Sequence, residues 1–384
     1  MNTIFKNTLD FIKSLYPNQN PVALHAPVFM GKEKEYLAQC IDSTFVSYVG
    51  EFVNKFEAIT AQFTGAKYAV AVVNGTAGLQ IALQVIGVQH GDEVITQPLT
   101  FVATANAISH AGAIPVFVDV DKDTLGMSPE KLEDWLEKNT IYDTINKTVK
   151  NKVTGKRISA IVPVYIFGHL IRIHEIMQVA EKYHLAVVED STEALGSFIN
   201  GKHAGLFGEV GILSYNGNKT ITTGGGGMII TNNEKLAQRV KHITTTAKIP
   251  HPYEYVHDEI GYNYRLPNIN AAVGYAQMEY IHTILESKKE TARLYKNFFA
   301  NSEIEYINGM ENTNPNYWLN AILLKDRTQR DKFLQFSNAN GVITRAAWRL
   351  MNKLPMYQQC QAGDISNAEW LEDRIVNLPS SVRL

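Results

Sequence analysis

Cysteine is scarce in this chain: its 384 residues hold two, Cys40 and Cys360, near opposite ends and in no CxxC or Cys/His cluster. That spacing argues against a disulfide framework and against a structural zinc site. No uncharged apolar run approaches the roughly 18 residues of a membrane-spanning helix, so none is expected. An excess of one charge is missing too. Lys+Arg number 36 against 38 Asp+Glu, a net charge of -2, so no global basic field exists to hold nucleic acid. Internal repeats and low-complexity tracts are absent as well. What remains is an ordinary globular balance, 45% hydrophobic and 19% charged, long enough for one large domain and a smaller one. Near the N-terminus, Phe5, Leu9, Ile12 and Leu15 recur at helical spacing among Lys6, Asp10 and Lys13. This is an amphipathic helix rather than a signal-peptide core, and the expected compartment is the cytoplasm.

Along the chain, short apolar runs alternate with helical patterns. Residues 51–64 carry Phe52, Phe56, Ile59 and Phe63 on one helical face and stop at Gly65. Strands are expected at 68–73, 93–98, 114–121, 158–168, 185–192, 210–215 and 227–231, with helices over 76–88, 100–112 and 173–184. That alternation predicts a doubly wound, largely parallel α/β sheet flanked by helices. Beyond about residue 276 a long helix (279–300), short strands (318–324) and a helix near 327–340 read as a smaller α+β domain. The expected division is 1–275, N-terminal helix included, and 276–384. Between the two halves of the sheet lies 138–157, with Lys138, Lys147, Lys150, Lys152, Lys156 and Arg157 against the single acid Asp143. It is either a solvated excursion or a basic flap near an anionic ligand.

Ligands of open parallel sheets collect at the carboxyl ends of the strands, and three features fall there. Asn74-Gly75-Thr76-Ala77-Gly78 joins a strand to a helix. Its small residues let backbone N–H groups face an anion, and Thr76 adds a hydroxyl and a helix cap; alternatively it is a plain cap. It is not GxGxxG, which disfavours a dinucleotide. Glu189-Asp190 closes an apolar strand, where an acid can hold a metal, a ribose hydroxyl or a protonated ring nitrogen, or merely cap the next helix. Lys219 stands in a loop of small polar residues before Gly224–Gly227; the spacing is wrong for a P-loop. A partly dehydrated lysine there is a nucleophile toward carbonyls. Phosphate site, acid, lysine and glycines together are what pyridoxal phosphate requires.

These stretches also carry a family resemblance. FVNKFEAITAQFTGAKYAVAVVNGTAGL (52–79), GDEVITQPLTFVATANAISHAGAIPVFVDVD (91–121), VVEDSTEALGSFINGKHAGLFGEVGILSYNGNK (187–219), TTGGGGMI (222–229) and EIGYNYRLPNINAAVG (259–274) resemble, in this order, the DegT/DnrJ-type nucleotide-sugar aminotransferases. These are fold type I pyridoxal-phosphate enzymes with a seven-stranded sheet. The resemblance implies that Lys219 is the Schiff-base lysine and proton shuttle, and that Asp190 pairs with the pyridinium nitrogen. Gly75, Thr76 and Ser214 would hold the phosphate, with Asn263 reaching it from the neighbouring subunit of a homodimer with composite sites. Phe101 would lie against the ring face. The family usually has glutamine on the cofactor's 3-oxygen where this chain has Glu193, whose carboxylate would repel a phenolate unless protonated or turned away.

Other departures exist. The family's histidine and Asp-Met near 162–173 are replaced, so Tyr165 and His169 read as structural. Arg345 and Trp348, in a stretch like the family's Thr-Arg-Pro-x-Trp, are either sugar-nucleotide contacts or, for Trp348, core. The implied reaction is transamination from L-glutamate, releasing 2-oxoglutarate, to a nucleotide-linked keto-hexose. The nearest resemblance is to enzymes acting at C4 of UDP-2-acetamido-2,6-dideoxy-4-keto-hexoses on legionaminic-type routes. Two alternatives stand beside it: a pyridoxal-phosphate sugar dehydratase, whose kind resembles this family with histidine at the lysine position, and a non-catalytic ligand-responsive regulator. No metal, nucleic-acid or membrane partner is expected.

Overall fold

The computed structural model describes residues 2–145 and 148–383. Seven strands form the path of the large sheet: β1 (Tyr68–Val72), β2 (Glu93–Thr96), β3 (Ile114–Phe117), β4 (Arg157–Val162), β5 (Ala186–Asp190), β6 (Val210–Ser214) and β7 (Gly227–Thr231). Their order is β1-β7-β6-β5-β4-β2-β3. The run from β6 to β3 is parallel, while β7 is antiparallel to both β1 and β6. These strands are buried on both faces, which is why they read as continuous apolar runs rather than alternating ones.

The reversal of β7 places the site. Gly227, its first residue, pairs with Val72 at the end of β1 and with Ser214 at the end of β6. Asp190 at the end of β5 is in register with Ile212. Four chain segments therefore meet at one rim of the sheet, where the first turn of the helix Gly75–Val85 also begins. Only glycine fits at 227: a Cβ there would fall 2.6 Å from the Asn74 carbonyl carbon and 2.8 Å from the Gly75 nitrogen.

The flanking helices follow their apolar faces. Glu51–Thr64 buries Phe52 and Phe56 and ends at Gly65, whose φ of 78° is left-handed, as a glycine C-cap requires. The single helix expected over 279–300 is Ile281–Phe299, and Tyr280 parts it from the preceding helix, Asn268–Glu279. A four-stranded antiparallel sheet follows, of Glu305–Tyr306, Asn320–Leu323, Arg345–Ala346 and Ile375–Leu378, with the helix Arg327–Ala339 beside it.

The N-terminal helix Asn2–Leu15 departs from its expected place. Phe5, Leu9 and Ile12 share a core with Tyr295, Phe299, Phe333 and Val376, all from the C-terminal elements, instead of packing on the large sheet. Phe11 also stacks on Phe298, with centroids 4.1 Å apart. Amphipathic spacing shows that a helix buries one face; it carries no information on which surface receives it.

The basic segment 138–157 contains a hairpin, Thr140–Asp143 with Thr148–Asn151, whose second strand pairs with Arg157 and Ile158 at the start of β4. This is the rim opposite the strand ends just described, so the segment is no flap over them. Several of its cations are paired nearby: Lys150 with Asp143 at 2.8 Å, Lys138 with Asp134 at 2.6 Å, and Arg157 Nε with Asp92 at 3.0 Å. Lys147 lies outside the described residues. Among those described, no helix is long and apolar enough to cross a membrane.

Candidate active site

A cavity of about 320 Å³ opens at the rim where β1, β5, β6 and β7 converge. Gly75, Thr76, Phe101, Asp190, Glu193, Ser214, Lys219 and Trp348 all line it, so most of the residues singled out in the sequence come together. Asn263 and Arg345 do not.

At one end is the helix Gly75–Val85. Its cap is Asn74, not Thr76: Asn74 is extended (φ −169°) and its Oδ1 accepts from the Ala77 N–H at 2.8 Å. Both residue types cap helices, and the backbone turn decides which one does. With Asn74 in that role, the N–H groups of Gly75 and Thr76 and the Thr76 hydroxyl have no hydrogen-bond partner among the described residues. Ser214 closes the other side; a Cβ on Gly75 would stand 3.2 Å from its Cβ. Free helix-terminal N–H groups, two hydroxyls and the helix dipole together favour a dianion such as a phosphate ester.

At the other end is Asp190. Strand alternation separates it from its neighbour: Glu189 turns to the opposite face, where its carboxylate accepts from Tyr165 Oη at 2.5 Å and from the N–H groups of Gly205, Phe207 and Gly208. Glu189 and Tyr165 are thereby structural. Burial pushes the Glu189 carboxyl and the Tyr165 phenol upward. His169 is fully buried too, and burial lowers its pKa to about 4. Asp190 faces the cavity and accepts at Oδ2 from Thr104 Oγ1 and at Oδ1 from Thr192 Oγ1, each at 2.7 Å. Two hydroxyl donors, one on each oxygen, fix its plane.

Lys219 stands between a carboxylate and an indole. Its Nζ lies 3.2 Å from Glu193 Oε1 and 3.8 Å from the centre of the Trp318 ring. Glu193 is not turned away from the site. Its other oxygen accepts from the Phe167 N–H at 2.8 Å, and Phe167 holds a left-handed φ of 56° to present that group. Burial drives the Glu193 carboxyl upward, and the Lys219 charge opposes it. A non-glycine residue kept at positive φ marks a place where the surroundings over-determine the backbone.

Phe101 precedes the helix Val102–His110 and is 51% exposed on the cavity wall, its ring 6.1 Å from Trp348. Trp348 also lies 5.2 Å from Phe167 and is only partly buried, so it is wall rather than core. Arg345 is exposed, with its guanidinium on Asn338 Oδ1 and the Thr344 carbonyl, at the edge of the small sheet. Asn263 is exposed beside Thr245, on a segment whose Tyr264 carbonyl accepts from the Val73 N–H.

Sequence reasoning missed Thr104 and Thr192 on Asp190, and Trp318 on Lys219. It also missed Asn316, fully buried, whose amide donates to the carbonyls of Glu193 and Leu195 at 2.8 and 2.9 Å and whose Oδ1 accepts from the Trp318 N–H. The pattern Asn316-x-Trp318 ahead of an apolar strand was a signal only in the weak sense that large polar and aromatic residues cluster at sites.

The residues present fit pyridoxal phosphate: free N–H groups for an anion, a carboxyl group across the cavity, and a lysine lining the same cavity. This combination on a mostly parallel sheet defines a fold type I aminotransferase. An aminotransferase from Brucella abortus shares the fold with a TM-score of 0.81 at 26% identity, over 91% of this chain and 90% of that one. The chain belongs to the DegT/DnrJ/EryC1/StrS aminotransferase family, which it matches over residues 29–384. It is 37% identical over 360 residues to the GDP-perosamine synthase of Escherichia coli O157:H7, covering 94% of this chain and 93% of that protein. EpsN of Bacillus subtilis, whose name states pyridoxal phosphate dependence, is 35% identical over 341 residues, 88% of this chain and 84% of that protein. The chain is a pyridoxal phosphate-dependent sugar aminotransferase.

Proposed function

We propose that this enzyme moves the amino group of L-glutamate to C4 of a keto-hexose linked to a nucleoside diphosphate. Lys219 would hold the cofactor covalently and carry protons, Asp190 would pair with its ring nitrogen, and Gly75, Thr76 and Ser214 would hold its phosphate. When bound, the cofactor supplies an electron sink that lets the amine cross between two carbonyl carbons. The rest is done by side chains of this chain. Asp190 would keep the ring nitrogen protonated, Lys219 would give and take the proton at the reacting carbon, and Phe101 would cover a ring face. The observation that carries the reading is the single cavity holding Lys219, Asp190 and the free N–H groups of Gly75 and Thr76. The chain divides near residue 275 into a cofactor-binding unit and a smaller unit, which the N-terminal helix joins.

The expected UDP-2-acetamido-2,6-dideoxy-4-keto-hexose of legionaminic-type routes is one substrate in this reading. The name of the Escherichia coli relative sets a GDP-linked sugar beside it. Protein converted to its amine form with L-glutamate should be consumed by one of these 4-keto sugars, and NMR of the product should place nitrogen on C4. An amine form left intact by the whole UDP and GDP panel would overturn the substrate class. Asn263, exposed and outside its own chain's cavity, serves the site of a second copy in a cytoplasmic homodimer. Exposed apolar residues such as Phe45, Val49 and Ile260 support that assembly.

The phosphate cradle has its own test. Gly227→Ala puts a methyl group against Asn74 and Gly75, an overpacking that costs about 1–3 kcal/mol. Cofactor affinity, read by titration of the visible band, is expected to fall by roughly 10- to 100-fold. Unchanged affinity would remove the cradle from the phosphate site.

A further inference from the structure

The middle of the helix Ile281–Phe299 holds a residue that its pattern does not predict. Ile284, Leu285, Thr291, Ala292 and Tyr295 form the buried stripe, and Lys288 stands within it, 1% exposed. A leucine or methionine would fill that place without burying an ammonium, and among the described residues no carboxylate pairs with it. Instead, three acceptors from three distant segments meet its three N–H bonds. These are His25 Nε2 at 2.9 Å, the Ser380 carbonyl at 2.8 Å and the Trp318 carbonyl at 3.2 Å. Burial lowers the Lys288 pKa to about 7, and burial followed by the Lys288 charge lowers that of His25, which keeps His25 a neutral acceptor.

The third acceptor leads back to the site. Trp318 is tied to its surroundings at both ends: its carbonyl by Lys288, and its indole Nε1–H by donation to the Asn218 carbonyl at 2.6 Å. Between these ties its ring face meets the Lys219 amino group. We propose that Lys288 is a positioning residue for Lys219, holding Trp318 so that the indole face and Glu193 receive the lysine's amino group whenever it is not bonded to cofactor. This rests on the reading of Lys219 as the cofactor-bearing lysine. His25 and Ser380 complete the anchor by filling the remaining two donor positions of Lys288.

The test uses cofactor-free protein and acetic anhydride in trace amounts, with labelling of Lys219 read by peptide mass spectrometry over a pH series. Exposed Lys67 serves as the internal reference. The indole face covers one side of the Lys219 amino group, so displacing it opens that amine to the reagent. Across the pH series, Lys288→Met and Trp318→Phe are each expected to speed Lys219 labelling about threefold to tenfold. The double variant should go no further than either single one, because both act through one contact. Should Lys288→Met not fold, His25→Phe removes one acceptor and is expected to shift labelling the same way by less. Folded variants with wild-type labelling, or effects that add in the double variant, overturn the proposal. Borohydride reduction of the loaded wild type, mapped in the same digest, separates the two readings. A pyridoxyl group on another lysine overturns the assignment of Lys219 itself, whereas one on Lys219 with unmoved labelling overturns the role of Lys288 alone.

Discussion

Lys219→Ala is expected to slow the glutamate half-reaction by about 1,000-fold or more while leaving the cavity able to take up cofactor. General acid–base catalysis by one positioned side chain contributes roughly 100- to 10,000-fold, and here the covalent anchor is lost with it. The variant should stay folded, because the lysine lies in a loop and its removal empties one wall of an existing cavity. It leaves Glu193 without its ion-pair partner, and that carboxyl, already pushed upward by burial, loses the charge that opposes the shift. The measurement is a stopped-flow absorbance trace with L-glutamate beside borohydride trapping. Wild type should trap cofactor on Lys219 and the variant should trap none. Trapping that persists in the variant would move the anchor to another lysine.

Asp190→Asn should cost about 100- to 1,000-fold in the same half-reaction, the range found when one electrostatic partner of developing charge is removed. The substitution keeps the shape of the side chain. Thr104 and Thr192 are hydroxyls, which can turn from donor to acceptor and meet the new amide, so little stability should be lost. What disappears is the negative charge. The effect should therefore fall on the rate constant of the chemical step rather than on glutamate affinity, a split that single-turnover kinetics resolves. A loss below about tenfold would place the acid away from the ring nitrogen.

The large sheet was legible because each of its strands is an apolar run bounded by turn residues. The site was legible where it sits at the ends of those strands. Asp190 and Lys219 fall in the same cavity because β5 and β6 are neighbours in register, and the sequence order of their loops then suffices. Parity along β5 also decides between Glu189 and Asp190, though the sequence does not say which face holds the cavity. The rest came from distant segments. Trp318, Asn316 and Lys288 reach the site from elements far along the chain, and no local pattern links them to residue 219. The hairpin of the basic segment lies at the wrong rim because a charge run reports exposure and not position. Arg345 and Trp348 are close in the sequence yet only one meets the cavity, since the chain leaves the small sheet between them.

The meeting of early and late segments of the chain has a further consequence, for the order in which the protein becomes active during synthesis. Tyr16 Oη donates to the Ser381 carbonyl at 3.1 Å across a sequence separation of 365, and Val22 pairs with Val342. The Ser380 carbonyl on Lys288 belongs to the same late segment. The sheet with its anion cradle is complete by residue 231, so it can form while the ribosome is still adding the remainder. The wall that receives the lysine cannot, because its last anchor, Ser380, is made long after the sheet, and closing so long a loop is slow. A nascent chain lacking the segment around Ser380 would thus bind phosphate before it could handle protons, and amine transfer would switch on only once that segment is laid down.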